Sequence, residues 1–350
     1  MFEVRGFAAH DATTPLVPFT VPRRDVGAHD IHIEILYSGV CHSDLHQAQN
    51  DWGNAIYPMV PGHEIVGRVK AVGSAVKKFK VGDYAGVGCM VDSCRECESC
   101  KRDLEQYCLN HTSFTYNGTE QDRTTPTYGG YSTDIVVQER FAVKISDKLD
   151  LKATAPLLCA GITTYSPLRH WNVGPGQKVG VIGLGGLGHM GVKFAKAMGA
   201  HVTMITTSAS KGEDAKRLGA DAVLLSTDAE AMKAQAASFD FLLNTVPVSH
   251  DLNPYINLLK LDGTMVLVGV LTPIDGMIGG ALMLPRRTIA GSAIGGMAET
   301  QEMMDFCAEH GIVSDIELVD MASINETYKR LVKNDVRYRF VIDMATMPAA

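Results

Sequence analysis

No stretch of this 350-residue chain approaches the ~18 consecutive apolar residues that a membrane-spanning helix needs. The segment Met1 to His10 has no basic start running into an apolar core, so no secretory leader is expected and the chain should be soluble and cytoplasmic. Positive charge is also scarce. The 32 Lys and Arg against 39 Asp and Glu leave a net charge of -7, with no global basic field to hold a phosphate backbone. Neither nucleic acid nor a membrane is an expected partner. A disulfide framework is missing too: Cys41, Cys89, Cys159 and Cys307 are scattered without regular spacing. Isolated thiols are by default small buried hydrophobes, and Cys89 and Cys307 keep that reading. There is no internal repeat and no low-complexity tract.

The remaining four cysteines are concentrated instead of scattered, as Cys94-x2-Cys97-x2-Cys100-x7-Cys108. Zinc takes four ligands in a tetrahedron and favours thiolate, and close spacing surrounds one ion at little loop-closure cost. The x2 spacings hold neighbouring thiols poorly for mutual bonding. The cluster therefore reads as a closed, structural zinc site. A zinc module for nucleic acid, the reading from a different functional class, is opposed by the local charge. Asp92, Glu96, Glu98, Asp103 and Glu105 outnumber Arg95, Lys101 and Arg102.

Length and a 46% hydrophobic content favour two domains. Up to about Asp150 the chain is rich in glycine and proline. Short β-branched runs such as Ile31 to Ile35 and Ile135 to Val137 predict a mostly β domain with long loops. After about Ala155 strands and helices alternate. The predicted strands are Lys178 to Gly183, His201 to Thr206, Ala222 to Leu225, Phe239 to Val246, Thr264 to Val270 and Thr288 to Ala290. One helix carries Met190, Phe194, Ala197 and Met198 on a face, and another lies near Gly212 to Leu218. Such alternation predicts an α/β fold with a doubly wound parallel sheet. From about Gly291 a helix, Glu299 to His310, and a run from Arg339 to Ile342 are expected to return to the first domain.

Gly183-Leu184-Gly185-Gly186-Leu187-Gly188 fits G-x-G-x-x-G between a predicted strand and a helix. Glycines there permit a tight turn and let a pyrophosphate approach the helix N-terminus. NAD enzymes commonly carry Asp or Glu about 20 residues further on, to bind the ribose 2'-hydroxyl. Here Thr206, Thr207, Ser208 and Lys211 stand in that region, with no acid before Glu213. Hydroxyls and an ammonium suit a 2'-phosphate, so NADP(H) is the expected cofactor. The alternative is a polar loop with an exposed lysine.

A second metal constellation is suggested by Cys41-His42-Ser43-Asp44-Leu45-His46 and, further on, Gly62-His63-Glu64-Ile65-Val66-Gly67 with Gly73 and Val76. A thiolate and an imidazole on separate loops are normal partners in a zinc site with one open position. Together with the four-cysteine lobe, Leu157-Leu158-Cys159-Ala160-Gly161 and Asp335 to Phe340, these segments make the whole chain resemble the zinc-dependent medium-chain alcohol dehydrogenases. Within them it is most similar to the cinnamyl alcohol dehydrogenase branch and its bacterial broad-range aldehyde reductases.

The resemblance implies a GroES-like catalytic domain over 1-156 and 292-350, with its zinc lobe at about 89-110, and a Rossmann domain over 157-291. It implies two zinc ions per chain. Cys41, His63 and Cys159 would hold the catalytic one, with Glu64 as an alternate ligand; spacing alone does not select Cys159. Asp44 would orient the histidine, Ser43 and His46 would relay protons, and His42 and Arg339 would contact the cofactor pyrophosphate. Many family members carry arginine at the His42 position, and a neutral imidazole grips pyrophosphate less firmly. Thr163 would lie near the nicotinamide, and Leu45, Trp52 and Ile294 would line the substrate pocket. The implied activity is reversible hydride transfer between NADPH and an aromatic or medium-chain aldehyde, by a homodimer joined through its nucleotide-binding domains. A polyol or secondary-alcohol dehydrogenase of the same superfamily is the rival enzyme, distinguished by preference for NAD.

Overall fold

In a computed structural model the protein is described over residues 1-269, 272-274 and 276-349. The chain divides into two compact units, Met1–Cys159 with Gly295–Ala350, and Ala160–Ile294.

The first unit is built on a mostly antiparallel sheet. Its long central strand, Asp30–Val40, pairs with Ile65–Val72, with Asp134–Gln138 and with Arg339–Asp343. The tail thus adds strands to a sheet begun near the N-terminus. Arg339–Asp343 is followed outward by Ile316–Asp320 in parallel, and Tyr84–Val87 and Val143–Lys144 extend the other edge. Ile31, Ile33 and Ile135 are essentially without exposure, so the β-branched runs fill the core as their alternation predicts. A separate hairpin pairs Phe2–Ala8 with Val17–Arg23.

The second unit has six parallel strands in the spatial order Ala222–Leu225, His201–Thr206, Lys178–Ile182, Phe239–Asn244, Leu259–Leu267, Thr288–Gly291. The first strand in sequence lies in the middle, so the order reverses between Lys178–Ile182 and Phe239–Asn244. In doubly wound sheets that reversal marks the ligand crevice at the strands' carboxyl ends. Ile182, Ile205, Phe239, Leu242 and Met265 anchor a core on this sheet. Each such side chain contributes roughly 1.5–3 kcal/mol by burial. Gly180 permits the close packing, since a Cβ there would lie 2.4 Å from Leu242.

Helix Gly186–Ala197 buries Met190 and Phe194 completely, while Ala197 and Met198 are only partly covered at its end. The predicted Thr264 to Val270 strand begins earlier, at Leu259, with a register irregularity against its neighbour, and Val270 lies outside the described residues. The helix expected from Glu299 starts at Met297 and stops at Gly311, whose φ of +64° ends it in the left-handed conformation. Among the described residues, no helix is long and apolar enough to cross a membrane.

Candidate active site

Cys41 leaves the central strand and caps helix His42–Ala48. Three residues into that helix the Asp44 side chain turns back and accepts the Cys41 N–H at 2.9 Å. The same carboxylate, with no exposure, accepts the Gly62 N–H at 3.1 Å and lies 2.9 Å from His63 Nδ1. Nδ1 is thereby committed to Asp44, which leaves Nε2 as the ligand atom. Cys159 ends the short turn Ala155–Leu158. One donor atom each from Cys41, His63, Glu64 and Cys159 lies within 4.8 Å of all the others. Two sulfurs, an imidazole and a carboxylate in a buried cluster form a donor set that fits zinc.

The electrostatics agree with a cluster prepared for a cation. Hydrogen bonding with Cys159 holds the Cys41 thiol well below its ordinary range, against burial and with help from Arg339 and His63. The Cys159 thiol is pushed up by the same contact. Burial opposes charge on His63, but Asp44 together with Cys89 and Cys41 raises the imidazole well above its usual value. Burial pushes the Glu64 carboxyl up to about 8, against the pull of the Arg339 guanidinium. Arg339 Nη2 contacts Glu64 Oε1 directly and donates to the Val40 carbonyl at 3.1 Å. Glu64 Oε2 and Arg339 Nε are buried without a hydrogen-bond partner.

Ser43 Oγ lies 3.7 Å from Cys41 Sγ. His46, one helical turn further on, has its Nδ1 2.7 Å from Asp51 Oδ2, and its ring is 6.3 Å from His42 and 5.6 Å from Trp52. Leu45 is buried and Trp52 is 39% exposed. Thr163 is buried on helix Ala160–His170 of the second unit, and Ile294 is half-buried at that unit's end with φ +40°.

The four clustered sulfurs stand at 3.9 Å (Cys94 to Cys100), 3.5 Å (Cys97 to Cys100) and 4.0 Å (Cys97 to Cys108). A disulfide needs ~2.0 Å. Sulfurs placed ~2.3 Å from one zinc would be ~3.8 Å apart along a tetrahedron's edges, which these separations bracket. Backbone amides of Cys97 and Leu109 point at Cys94 and Cys97 sulfurs, each at 3.4 Å. Amide bonds, chiefly from Glu96, bring Cys94 down to about 6, and burial pushes Cys100 up to about 12. The lobe is tied to its unit by Glu105, which is buried, pairs with Arg140 at 3.5 Å and accepts the Met297 N–H at 3.0 Å.

In the second unit the predicted first strand stops at Ile182, because Gly183 adopts φ +90°. Gly185 caps the following helix and has open space where a side chain would sit. Gly188 has none, since a Cβ there would come 1.8 Å from the Gly183 carbonyl. One glycine makes the turn, one clears an approach and one packs the helix on the strand, as a dinucleotide loop requires. Gly186 opens the helix and Leu187 follows it, half-buried. Lys211 bridges to this loop, donating from Nζ to the Leu184 carbonyl at 2.9 Å. Thr206 Oγ1 accepts the Ser208 N–H at 3.3 Å, and Thr207 is exposed. The polar rim thus stands beside the glycines.

Sequence reasoning missed several neighbours of the metal cluster. Cys89 is half-buried and shares a hydrogen bond with Cys159, so it is not the isolated buried hydrophobe its spacing suggested. Tyr116 stacks on the His63 ring at 5.7 Å, and the Tyr131 hydroxyl donates to Asp44 at 3.3 Å. No local motif joins these residues to the ligands. Only the two glycines before Tyr131 hinted at a close turn.

With both units and the two sulfur-rich clusters in hand, the chain belongs to the zinc-binding alcohol dehydrogenase family. Residues 27–147 match the Alcohol dehydrogenase GroES-like domain, and residues 186–309 match Zinc-binding dehydrogenase. Aldehyde reductase YahK of Escherichia coli is 56% identical over 347 residues, covering 99% of both chains. The cinnamyl alcohol dehydrogenase structure from Sorghum bicolor superposes with a TM-score of 0.96 at 47% identity, covering 100% of each chain. CAD from Helicobacter pylori, solved in complex with NADP(H), gives 0.91 at 42% identity over 99% of each.

Proposed function

We propose that this protein is an NADP(H)-dependent aldehyde reductase that interconverts an aldehyde and its primary alcohol, with aromatic and medium-chain substrates of broad range. The observation that carries the reading is the Cys41, His63, Cys159 cluster with Asp44 fixing the imidazole. It stands in a chain whose relatives include aldehyde reductase YahK and the NADP-dependent alcohol dehydrogenases of mycobacteria. When bound, zinc supplies Lewis acidity to a carbonyl oxygen and the nicotinamide supplies the hydride. Asp44 keeps His63 in the ligating tautomer, and Glu64 is the alternate ligand. Ser43 passes a proton and His46, paired with Asp51, exchanges it with solvent. Gly183, Gly185, Gly186, Leu187 and Gly188 cradle the pyrophosphate, and Thr163 serves the nicotinamide.

Thr206, Thr207, Ser208 and Lys211 select the 2'-phosphate in this reading. A charge-assisted bond contributes about 1.5–3 kcal/mol, or roughly 10- to 100-fold. Lys211→Ala should therefore raise KM for NADPH by at least about tenfold and leave NADH kinetics nearly unchanged. Equal kcat/KM for both cofactors in the parent, measured with one aromatic aldehyde, would remove the assignment.

We further place the enzyme in the cytoplasm, whose reducing conditions suit eight cysteines without a disulfide among them, and take it to be a homodimer. Exposed Leu261, Met283 and Leu284 support the dimer. They flank the contact in which the Asp262 N–H meets the Pro285 carbonyl at 3.2 Å, beside the edge strand Thr288–Gly291. An exposed apolar patch at a sheet edge suits a twofold interface. Light scattering should give twice the chain mass, and Leu284→Asp should halve it. A monomeric parent would rule the dimer out.

A further inference from the structure

We propose that Tyr131 is a positioning residue for the metal site, holding Asp44, and through it His63, in ligating geometry. The proposal rests on the metal-site reading above. Asp44 is a carboxylate without solvent, so each of its oxygens needs donors from the protein. Oδ1 has the Gly62 N–H at 3.1 Å and His63 Nδ1 at 2.9 Å, and Oδ2 has the Cys41 N–H at 2.9 Å and the Tyr131 hydroxyl at 3.3 Å. Three of these four donors belong to the ligand-bearing segments themselves, and the Tyr116 phenol, stacked on His63, also reaches Asp44. Tyr131 is the fourth, delivered from a segment 87 residues away.

That segment is built to bring the phenol in. The Tyr131 N–H donates to the Pro61 carbonyl at 2.9 Å, and its own carbonyl accepts the Phe7 N–H at 2.9 Å. The side chain is fully buried. Its ring lies on Gly62, where φ is +103° and a Cβ would come 2.8 Å from Tyr131 Cδ1. Gly129 and Gly130 precede it. A Cβ on Gly129 would come 2.3 Å from the Gly62 carbonyl, and one on Gly130 would come 2.5 Å from Ile65. Three glycines therefore let the two backbones close on each other around His63, and the tyrosine uses that approach to reach Asp44. The Tyr328 phenol, buried on helix Ile324–Val332, stands near Tyr131. A hydroxyl that fixes the carboxylate also fixes the imidazole, because a ligating histidine keeps its orientation only while its outer partner is held.

Tyr131→Phe keeps the ring that packs on Gly62 and removes only the donor. The test is zinc release from the purified two-zinc protein to a chromophoric chelator, followed as two phases, with the four-thiol lobe as internal reference. Loss of a partner outside the ligand shell costs about 10- to 100-fold in metal affinity, so the catalytic-zinc phase should accelerate by at least about tenfold while the lobe phase is unchanged. Cobalt exchanged into the catalytic site should show a shifted visible spectrum. In an Asp44→Asn background, the tyrosine change should have no further effect on release. Parental release kinetics in Tyr131→Phe, or equal acceleration of both phases, would overturn the proposal. One zinc per parental chain would overturn the metal-site reading and the proposal with it.

Discussion

Cys159→Ala is expected to give a folded protein that keeps one zinc per chain and loses about 10³-fold in turnover, whereas Cys100→Ser should lose stability first. The reasons differ by site. Cys159 is one of three proposed ligands in a cluster whose backbone is held independently by Asp44, Gly62 and the central strand. Its loss removes the Lewis acid, which contributes several kcal/mol of transition-state stabilisation, and about 4 kcal/mol corresponds to 10³. Cys100 lies fully buried at the centre of the four-thiol lobe, whose sulfurs meet across short separations and whose chain has little core of its own. Structural zinc contributes about 10 kcal/mol or more to folding in small zinc peptides, so a crippled lobe should lower Tm by more than about 5 °C. Metal analysis, calorimetry and turnover on the two variants decide this. If they behave alike, the division into structural and catalytic metal is wrong.

Ser43→Ala should cost about 10² in turnover, the usual scale for losing a positioned proton donor, with both zinc ions and NADPH binding retained. Ser43 Oγ is within 3.7 Å of a ligand sulfur, and His46 lies one helical turn on, already paired with Asp51. Water can partly replace an outer relay member, so His46→Ala should cost less and alter the pH dependence of alcohol oxidation. Parental turnover in a fully metallated Ser43→Ala protein would require another proton route.

Much of this was legible because local chemistry repeats in the sequence. Cys94, Cys97, Cys100 and Cys108 are close enough in sequence to meet without a fold, and the glycines of the 183–188 loop carry their reasons in their own backbone. The β-branched runs marked buried strands for the same reason. Cys159 was different, since a lone cysteine after two leucines has no periodic partner and entered only through resemblance. Helix Ile324–Val332 was missed although Ile324, Thr327, Tyr328 and Leu331 recur at the i, i+3, i+4, i+7 spacing of an amphipathic helix, a signal present in the sequence but not used. Helix Ala160–His170 was missed because it is buried almost all round and contains Pro167, so it has neither an amphipathic face nor an uninterrupted pattern. Tyr131 and Cys89 join the metal cluster through tertiary contacts alone.

The central claim is zinc-dependent reduction of an aldehyde by NADPH, and it is tested most directly by NADPH oxidation at 340 nm with an aromatic aldehyde. The assay is run on protein carrying two zinc ions, on protein stripped of the more labile one, and after zinc is restored. The account predicts turnover, its loss with the lobe zinc still in place, and its recovery. Undiminished turnover by the stripped protein, or no NADPH consumption with any aldehyde, would contradict it.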